Sequence, residues 1–306
     1  MVRLGIGDDC ALLRSRSGEE LAVTTDLSIA GRHFRLDWHP PASVGHRALA
    51  RGLSDLAAMG ARPVAAFLSL GLPRDLIRPS GRRPAWVQSF LQGLLTLGKM
   101  YKLPLAGGDL SESPVAMADI VLIGGVPVGR ALLRSTARPG HLLYVTGSLG
   151  GSSAALANLA GLQQHRMTKK RTAQLAPHFY PQPRIAQGRW LVRYGKASAA
   201  IDLSDGLSTD LAHLCQESRV AAEVDAALLP IHPDASLAQA LNGGEDYELL
   251  FTAPPSVRIP KAIAGVPVTQ IGRILPALRN RPTITLVTPQ GSAPLRPQGW
   301  KHFSKN

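Results

Sequence analysis

Residues 5–34, GIGDDCALLRSRSGEELAVTTDLSIAGRHF, constrain the fold more than any other stretch of this chain. Two apolar, β-favouring runs, residues 10–13 and 21–25, flank a polar segment in which Ser17-Gly18 supplies a turn. A hairpin centred there sets Asp9 opposite Asp26 and Cys10 opposite Thr25. It gathers Asp8, Asp9, Asp26 and the hydroxyls of Thr24 and Thr25 at one edge. Carboxylates that close repel each other unless a cation sits between them. An all-oxygen donor set favours a hard ion, Mg²⁺ or Mn²⁺. Taken alone, the same residues also read as an ordinary turn followed by a capped strand end.

At 306 residues the chain has room for two domains. No apolar run reaches the length of a membrane span; the best candidate, around residues 117–128, contains Asp119 and Gly124-Gly125 and reads as a buried strand. Arg3 and Asp8-Asp9 leave no apolar core for a signal peptide. Cys10 and Cys215 lack metal-ligand spacing, so reduced thiols in a cytoplasmic protein are expected. The net charge of +13 fits nucleic acid or the steering of small polyanions. Its one dense run, His165–Arg171, reads as a solvated helix face. Aromatic residues do not interleave with the basic ones, which excludes a stacking platform for single strands.

Further along, residues 44–60 carry Leu49, Leu53, Leu56 and Ala57 at helical spacing, with Gly60 as a stop. Asp55 lies off that stripe, either facing the hairpin acids or paired with Arg51 one turn earlier on a wet face. A strand over residues 64–70 and a helix over 86–102 precede a short strand, 103–106, that ends in Gly107-Gly108-Asp109. Another strand covers 116–126, and Arg134 follows as a phosphate contact or a plain surface arginine. The second half opens with strand 142–146 and a Gly/Ser-rich loop into an Ala/Leu helix, whose N-terminus can hold an anion. Strand 199–203 runs through Asp202, Ser204 and Asp205 into helix 207–215. A cap explains one of those acids but not both. Gly243-Gly244 then precedes Glu245, Asp246 and Glu248 at the start of strand 249–252. The tail carries Trp300 and Phe303, late aromatics placed to fold over a pocket.

Acids at strand ends beside Gly, Ser and Thr are what a multi-metal phosphoryl-transfer site requires. The segments GIGDDCALL, TTDLSIAGRHF, ALARGLSDLAAMGARP, GGDLSES, LLRSTARPG, YVTGSLGGSSAAL, AIDLSDGLSTDL and GGEDYELLFT occur in that order. Together they resemble the thiamine-monophosphate kinases of the PurM-like superfamily, from Gly5 to Phe303. The resemblance implies an α/β (α+β) fold of two mixed domains, residues 1–135 and 136–306, the first dimerising through its strands. It implies direct, in-line transfer from ATP to thiamine monophosphate with several Mg²⁺ ions and no covalent nucleophile. Carried over by motif, Asp9, Thr24, Thr25, Asp26, Asp55, Asp109, Asp202 and Asp205 look like metal ligands. Gly108, Asp109, Arg134 and Ser204 look like ATP contacts, and His33, Glu245 and Trp300 like contacts to the thiamine substrate. Homodimerisation is implied; nucleic-acid or membrane partners are not.

The chain departs from that pattern in places. Members usually carry a longer segment ahead of GIGDD. Arg51-Gly52 stands where Val-Asn is usual, Leu110 where threonine, Thr136 where glycine and His141 where aspartate. None removes a ligand, although Arg51 is placed to compete with metal for a carboxylate. The alternatives are another ATP-dependent member of the superfamily, such as an aminoimidazole ribonucleotide synthetase, or a detuned nucleotide-binding member. GGEDYELLF and GWKHF speak against the first, and the intact acids against the second.

Overall fold

The computed structural model describes residues 2–4, 12–79, 84–160, 169–277 and 283–300. The chain forms two compact units, Met1–Leu56 with Ala61–Arg130, and Ala57–Gly60 with Ala131–Asn306.

Unit 1 contains β1 (Val2–Leu4), β2 (Leu12–Leu13), β3 (Glu19–Ile29), α1 (Pro41–Ala58), β4 (Arg62–Leu72), α2 (Trp86–Met100), β5 (Leu105–Glu112) and β6 (Met117–Pro127). Its main sheet has the order β3-β6-β4-β5, with only β4 and β5 parallel. The helical stripe holds: Leu49, Leu53, Leu56 and Ala57 are buried, as are Phe90, Leu94 and Leu97 of α2. Gly52 lies where a Cβ would fall 2.6 Å from the Leu122 side chain, so this helix break in propensity lets α1 sit close on β6.

Among the described residues the expected local hairpin is not seen. Leu12–Leu13 pairs with Val2–Leu4 instead. β3 pairs with β6 over its full length, from Glu19↔Pro127 to Ile29↔Met117. The turn at Ser17-Gly18 exists, but it starts β3 against the end of β6, where the Val128 amide donates to Gly18 O at 3.0 Å. That ladder runs along all 11 residues of the strand, each pair bringing its hydrogen bonds and cross-strand contacts. The Asp9–Asp26 and Cys10–Thr25 pairings, with Asp8, lie outside the described residues. The strand placed at 103–106 also runs further than expected, so Asp109 stands within β5 and not at its end.

Unit 2 contains β7 (Leu142–Thr146), α3 (Gly151–Ala160), α4 (Lys169–Phe179), α5 (Ile185–Tyr194), β8 (Ala199–Asp202), α6 (Leu207–Ser218), β9 (Val220–Asp225), α7 (Leu237–Asn242), β10 (Leu249–Ala253), β11 (Ala262–Ile263), β12 (Val266–Pro276), β13 (Ile284–Thr288) and β14 (Gly291–Pro294). Its sheet has the order β14-β13-β9-β12-β7-β10-β8, with β11 beside β12. Leu143, Val145, Ile201, Leu211, Leu214, Leu250 and Ile271 form the centre of its core. β8, β10 and β7 lie side by side, which brings the ends of the Asp202, Glu248 and Thr146 segments together. The basic run His165–Arg171 lies outside the described side chains. Among the described residues no helix is long and apolar enough to cross a membrane.

Two of the departures noted above are absorbed locally. Thr136 Oγ1 donates to Ser198 O at 2.6 Å, and His141 Nδ1 lies 2.7 Å from Ser198 Oγ. Both side chains therefore tie the start of unit 2 to the segment before β8.

Candidate active site

In unit 1 the alternation of β3 sorts the candidate ligands by face. Thr24 and Asp26 are half-buried, whereas Thr25 is exposed on the opposite face and donates to Asp119 Oδ1 at 3.1 Å. The two threonine hydroxyls therefore do not share an edge, because a strand with a period of two cannot turn consecutive side chains the same way. Thr24 Oγ1 donates to Asp55 Oδ2, joining β3 to α1. Burial pushes the Asp26 carboxyl up to about 6, with Asp55 and Asp119 adding to the rise and Arg51 opposing it. Arg51 pairs with Asp26 at 3.1 Å, both side chains being mostly buried. Arg51 thus makes a shielded ion pair across to the strand.

Asp109 stands exposed on β5 and accepts from Ser111 Oγ at 3.2 Å. Gly108 packs so tightly on β4 that a Cβ would fall 2.0 Å from Leu68 O. His33 follows β3. Its Nδ1 accepts from the Ile29 amide at 3.0 Å, and its carbonyl accepts from Arg47 Nη2 at 3.3 Å. A neutral His33 ring therefore carries its proton on Nε2. With Ser28, Phe34, Val44, Arg47 and Arg51 it lines a cleft.

In unit 2 the junction between β8 and α6 is the centre of the site. Asp202 is buried at the end of β8. Beyond it, Ser204 O accepts from the Glu245 amide at 2.8 Å, and Leu203 exchanges backbone hydrogen bonds with Tyr247 and Glu248. Asp210, in the first turn of α6, accepts from the Asp205 and Gly206 amides at 3.0 Å each. Burial pushes its carboxyl up to about 8, helped by Asp202 and Asp205. The tail docks on the same turn. Gln298, Gly299 and Trp300 amides donate in succession to Ser208 Oγ, Thr209 Oγ1 and Asp205 O at 3.2, 3.1 and 3.2 Å. A Cβ on Gly299 would fall 1.8 Å from Asp205 O, so only glycine fits there. Asp202, Ser204, Asp205, Glu245 and Trp300 thus gather on one junction. Arg134 stands exposed in the 3-10 turn Arg134–Thr136, whose first carbonyl accepts from Ser218 Oγ at 2.6 Å.

The acids after Gly243-Gly244 divide by role. Asp246 caps α3, accepting from the Gly150 and Ser152 amides at 2.6 and 3.1 Å. The chain's own carboxylate therefore takes two of the amides at that helix start. Glu248 is buried and held by Thr146 Oγ1 at 2.6 Å and by both prongs of Arg184. Glu245 takes φ +66° and lies 3.5 Å from His178 Nδ1. Ser152 Oγ also meets His178 Nδ1, at 3.0 Å. A proton relay needs the acid and the serine on opposite ring nitrogens, so this trio is a positioning cluster and not a nucleophile. Cys215 is buried, and that burial pushes its thiol up to about 12, which makes it inert.

Sequence reasoning passed over Asp210 and Asp119. Asp210 carried a signal, as an acid in the first turn of a helix that follows two other acids. Asp119 carried none, because its neighbour Thr25 is set by the long-range β3–β6 register. Among the described residues no three acidic, histidine or cysteine side chains converge closely enough to cage a metal. Mg²⁺ asks for less: one or two carboxylates, with waters and substrate phosphates completing the shell. The Asp26–Asp55 pair and the Asp202–Asp205 junction fit that requirement. Burial is the main cause of the raised Asp26 carboxyl; the smaller part that Asp55 and Asp119 add is repulsion that a divalent cation would relieve.

Residues 7–131 match the AIR synthase related protein N-terminal domain, and residues 138–283 the matching C-terminal domain. The thiamine-monophosphate kinase of Escherichia coli (strain K12) is 44% identical over 285 residues, covering 89% of this chain and 84% of that protein. The thiamine-monophosphate kinase of Bacillus subtilis (strain 168) is 32% identical over 314 residues, covering 99% of this chain and 94% of that protein. A solved structure described as AaThiL complexed with AMPPCP and TMP superposes with a TM-score of 0.81 at 31% identity, covering 95% of this chain and 89% of that one.

Proposed function

The chain belongs to the AIR synthase related family and, within it, to the thiamine-monophosphate kinases, and we propose from that membership how its acids and substrate contacts work. The reaction passes the γ-phosphoryl of ATP to thiamine monophosphate, giving thiamine diphosphate and ADP. The observation that carries the reading is the β8–α6 junction, where Asp202, Ser204 and Asp205 meet both Glu245 and the docked Trp300.

Asp9, Asp26, Asp55 and Asp109, with Asp202 and Asp205, would hold Mg²⁺; Thr24 supports Asp55 through its hydroxyl, whereas the Thr25 hydroxyl, on the opposite face of β3, is turned to Asp119 and drops out of the set. Bound Mg²⁺ supplies neutralisation of the phosphate charge that develops during transfer. The remaining work is positioning. Arg134 offers a planar fork to phosphate oxygens. Ser204 is a further contact for ATP, and Gly108 keeps the backbone close beside Asp109 for the same ligand. His33 donates from Nε2 to the monophosphate, its other nitrogen being occupied by the Ile29 amide. Glu245 accepts from the aminopyrimidine, steadied by His178. Trp300, about half exposed, offers its face to the cationic thiazolium ring.

The homodimer belongs to the same proposal. β3 is an edge strand, and Leu21, Val23 and Leu27 project from the face opposite Asp26. A second copy covering that face would bury them while leaving the acids on the other face.

The deciding experiment is an ATP- and Mg²⁺-dependent assay for thiamine diphosphate formed from thiamine monophosphate. Product that disappears with EDTA supports the reading. Turnover of formylglycinamidine ribonucleotide, with none of thiamine monophosphate, would replace it by the aminoimidazole ribonucleotide synthetase alternative.

A further inference from the structure

We propose that Arg51 is a built-in counter-ion that competes with the divalent cation for Asp26, so that the free protein holds metal there weakly. The inference rests on the reading of Asp26 as a metal ligand. Arg51 leaves α1 one turn before Asp55 and reaches across to β3. Its Nη2 lies 3.1 Å from Asp26 Oδ1, and its Nη1 donates to Leu27 O and Ser28 Oγ at 3.3 and 3.2 Å. The fork thus grips consecutive residues of one strand, and the guanidinium is set in place by the backbone as well as by the carboxylate. Only 17% of the Arg51 side chain and 21% of the Asp26 side chain is exposed, so water screens the pair poorly.

Two consequences follow for a cation approaching Asp26. It must displace or share an oxygen already engaged by a charged donor, and it must sit beside a fixed positive charge. Both weaken metal binding to the free protein. A nucleotide phosphate arriving with its metal reverses the second effect, because its negative charge is attracted by the same guanidinium. Metal therefore enters this position with the nucleotide and not ahead of it.

The test is Mn²⁺ binding to the nucleotide-free full chain, read from the electron paramagnetic resonance signal of free Mn²⁺. Arg51→Met removes the charge and keeps a long apolar stem. It is expected to tighten Mn²⁺ binding about tenfold, the scale on which a shielded ion pair resists replacement. Arg51→Lys keeps a charge without the fork and is expected to fall between Arg51→Met and the parent. Thermal unfolding in EDTA checks that each variant is folded. Unchanged or weaker Mn²⁺ binding in a folded Arg51→Met or, if that variant does not fold, in Arg51→Lys would overturn the proposal. Asp26→Asn separates this failure from that of the underlying reading. No gain in Arg51→Met, with Mn²⁺ binding lowered further when Asp26→Asn is added to it, removes the competition alone, whereas a gain in Arg51→Met that persists when Asp26→Asn is added removes Asp26 as a ligand and the competition with it.

Discussion

Asp26 and Asp202, proposed ligands in the two units, meet different surroundings. Asp26 is shielded, crowded by Asp55 and Asp119, and partly neutralised by Arg51. Asp202 is buried at the end of a core strand. Replacing either by asparagine preserves shape and removes the charge that a cation needs. We expect Asp26→Asn or Asp202→Asn to lower turnover by about 10–100-fold or more, with the far-ultraviolet circular dichroism and unfolding midpoint close to the parent's. Near-normal turnover in either would remove that residue from the machinery. Asp246 has a different character, since its work is the cap on α3. Burial, with Glu248 and Glu245 nearby, pushes its carboxyl up to about 7, against the pull of two amide donors. A carboxyl raised on folding binds its proton more tightly in the folded state. Its contribution to stability is complete below about pH 4, where the unfolded chain also protonates it, and is lost as pH rises through about 7. The difference between the melting curves of the parent and Asp246→Asn should therefore slope between those limits. Parallel curves of Tm against pH would show that Asp246 does not titrate in this way.

The strand-to-helix junction at β8 and α6 is the element on which most of unit 2's chemistry depends, and its geometry is held from outside by the tail. Gln298, Gly299 and Trp300 form a short run of amide contacts to that turn, and Gly299 has no room for a Cβ. Gly299→Ala should push the tail off Asp205 and misplace the Trp300 ring. The KM for thiamine monophosphate is expected to rise about tenfold or more, while the KM for ATP changes little, because small displacements at a positioning group cost about this much. Equal changes in both constants would show that the tail supports the fold as a whole and not the substrate. At this scale the sequence was informative wherever a period or a cap decided the outcome. The α1 and α2 stripes, the β8–α6 junction and strands β7 and β10 were legible because apolar spacing alone sets them. The partner that β3 takes, β6, lies far along the chain, and nothing in residues 10–25 announces it. The Asp246 cap on α3 was hidden for a related reason. Asp246 reaches that helix only after β10 has aligned beside β7. Asp26, Asp55 and Asp205 were singled out from their neighbours in sequence, but that Arg51 reaches Asp26 depends on how α1 lies across β3.

For the molecule as a whole, charge and assembly are the remaining variables. A net charge of +13 on an enzyme of polyanionic substrates favours their capture, so kcat/KM should fall with added salt more steeply than kcat does. In the proposed dimer, assembly runs through β3. The same alternation that turns Thr24, Asp26 and Ser28 inward turns Leu21, Val23 and Leu27 outward, 48%, 63% and 44% exposed. An edge strand with an apolar open face is a hazard unless something covers it. Covering it with a second copy uses surface that the acids do not need. A charge placed at the most exposed of these positions should therefore separate assembly from folding. Val23→Glu would bury an unpaired carboxylate in the proposed interface but leave it in water in a monomer. Sedimentation velocity should show the parent as a dimer and Val23→Glu as a monomer at the same micromolar concentration, since one unpaired buried charge costs several kcal/mol, about a hundredfold or more in dimer affinity. The variant's circular dichroism should match the parent's, because position 23 lies outside the core. A parent that sediments as a monomer would show that this face is not an interface between copies. A dimer that survives Val23→Glu would place the interface elsewhere on the chain.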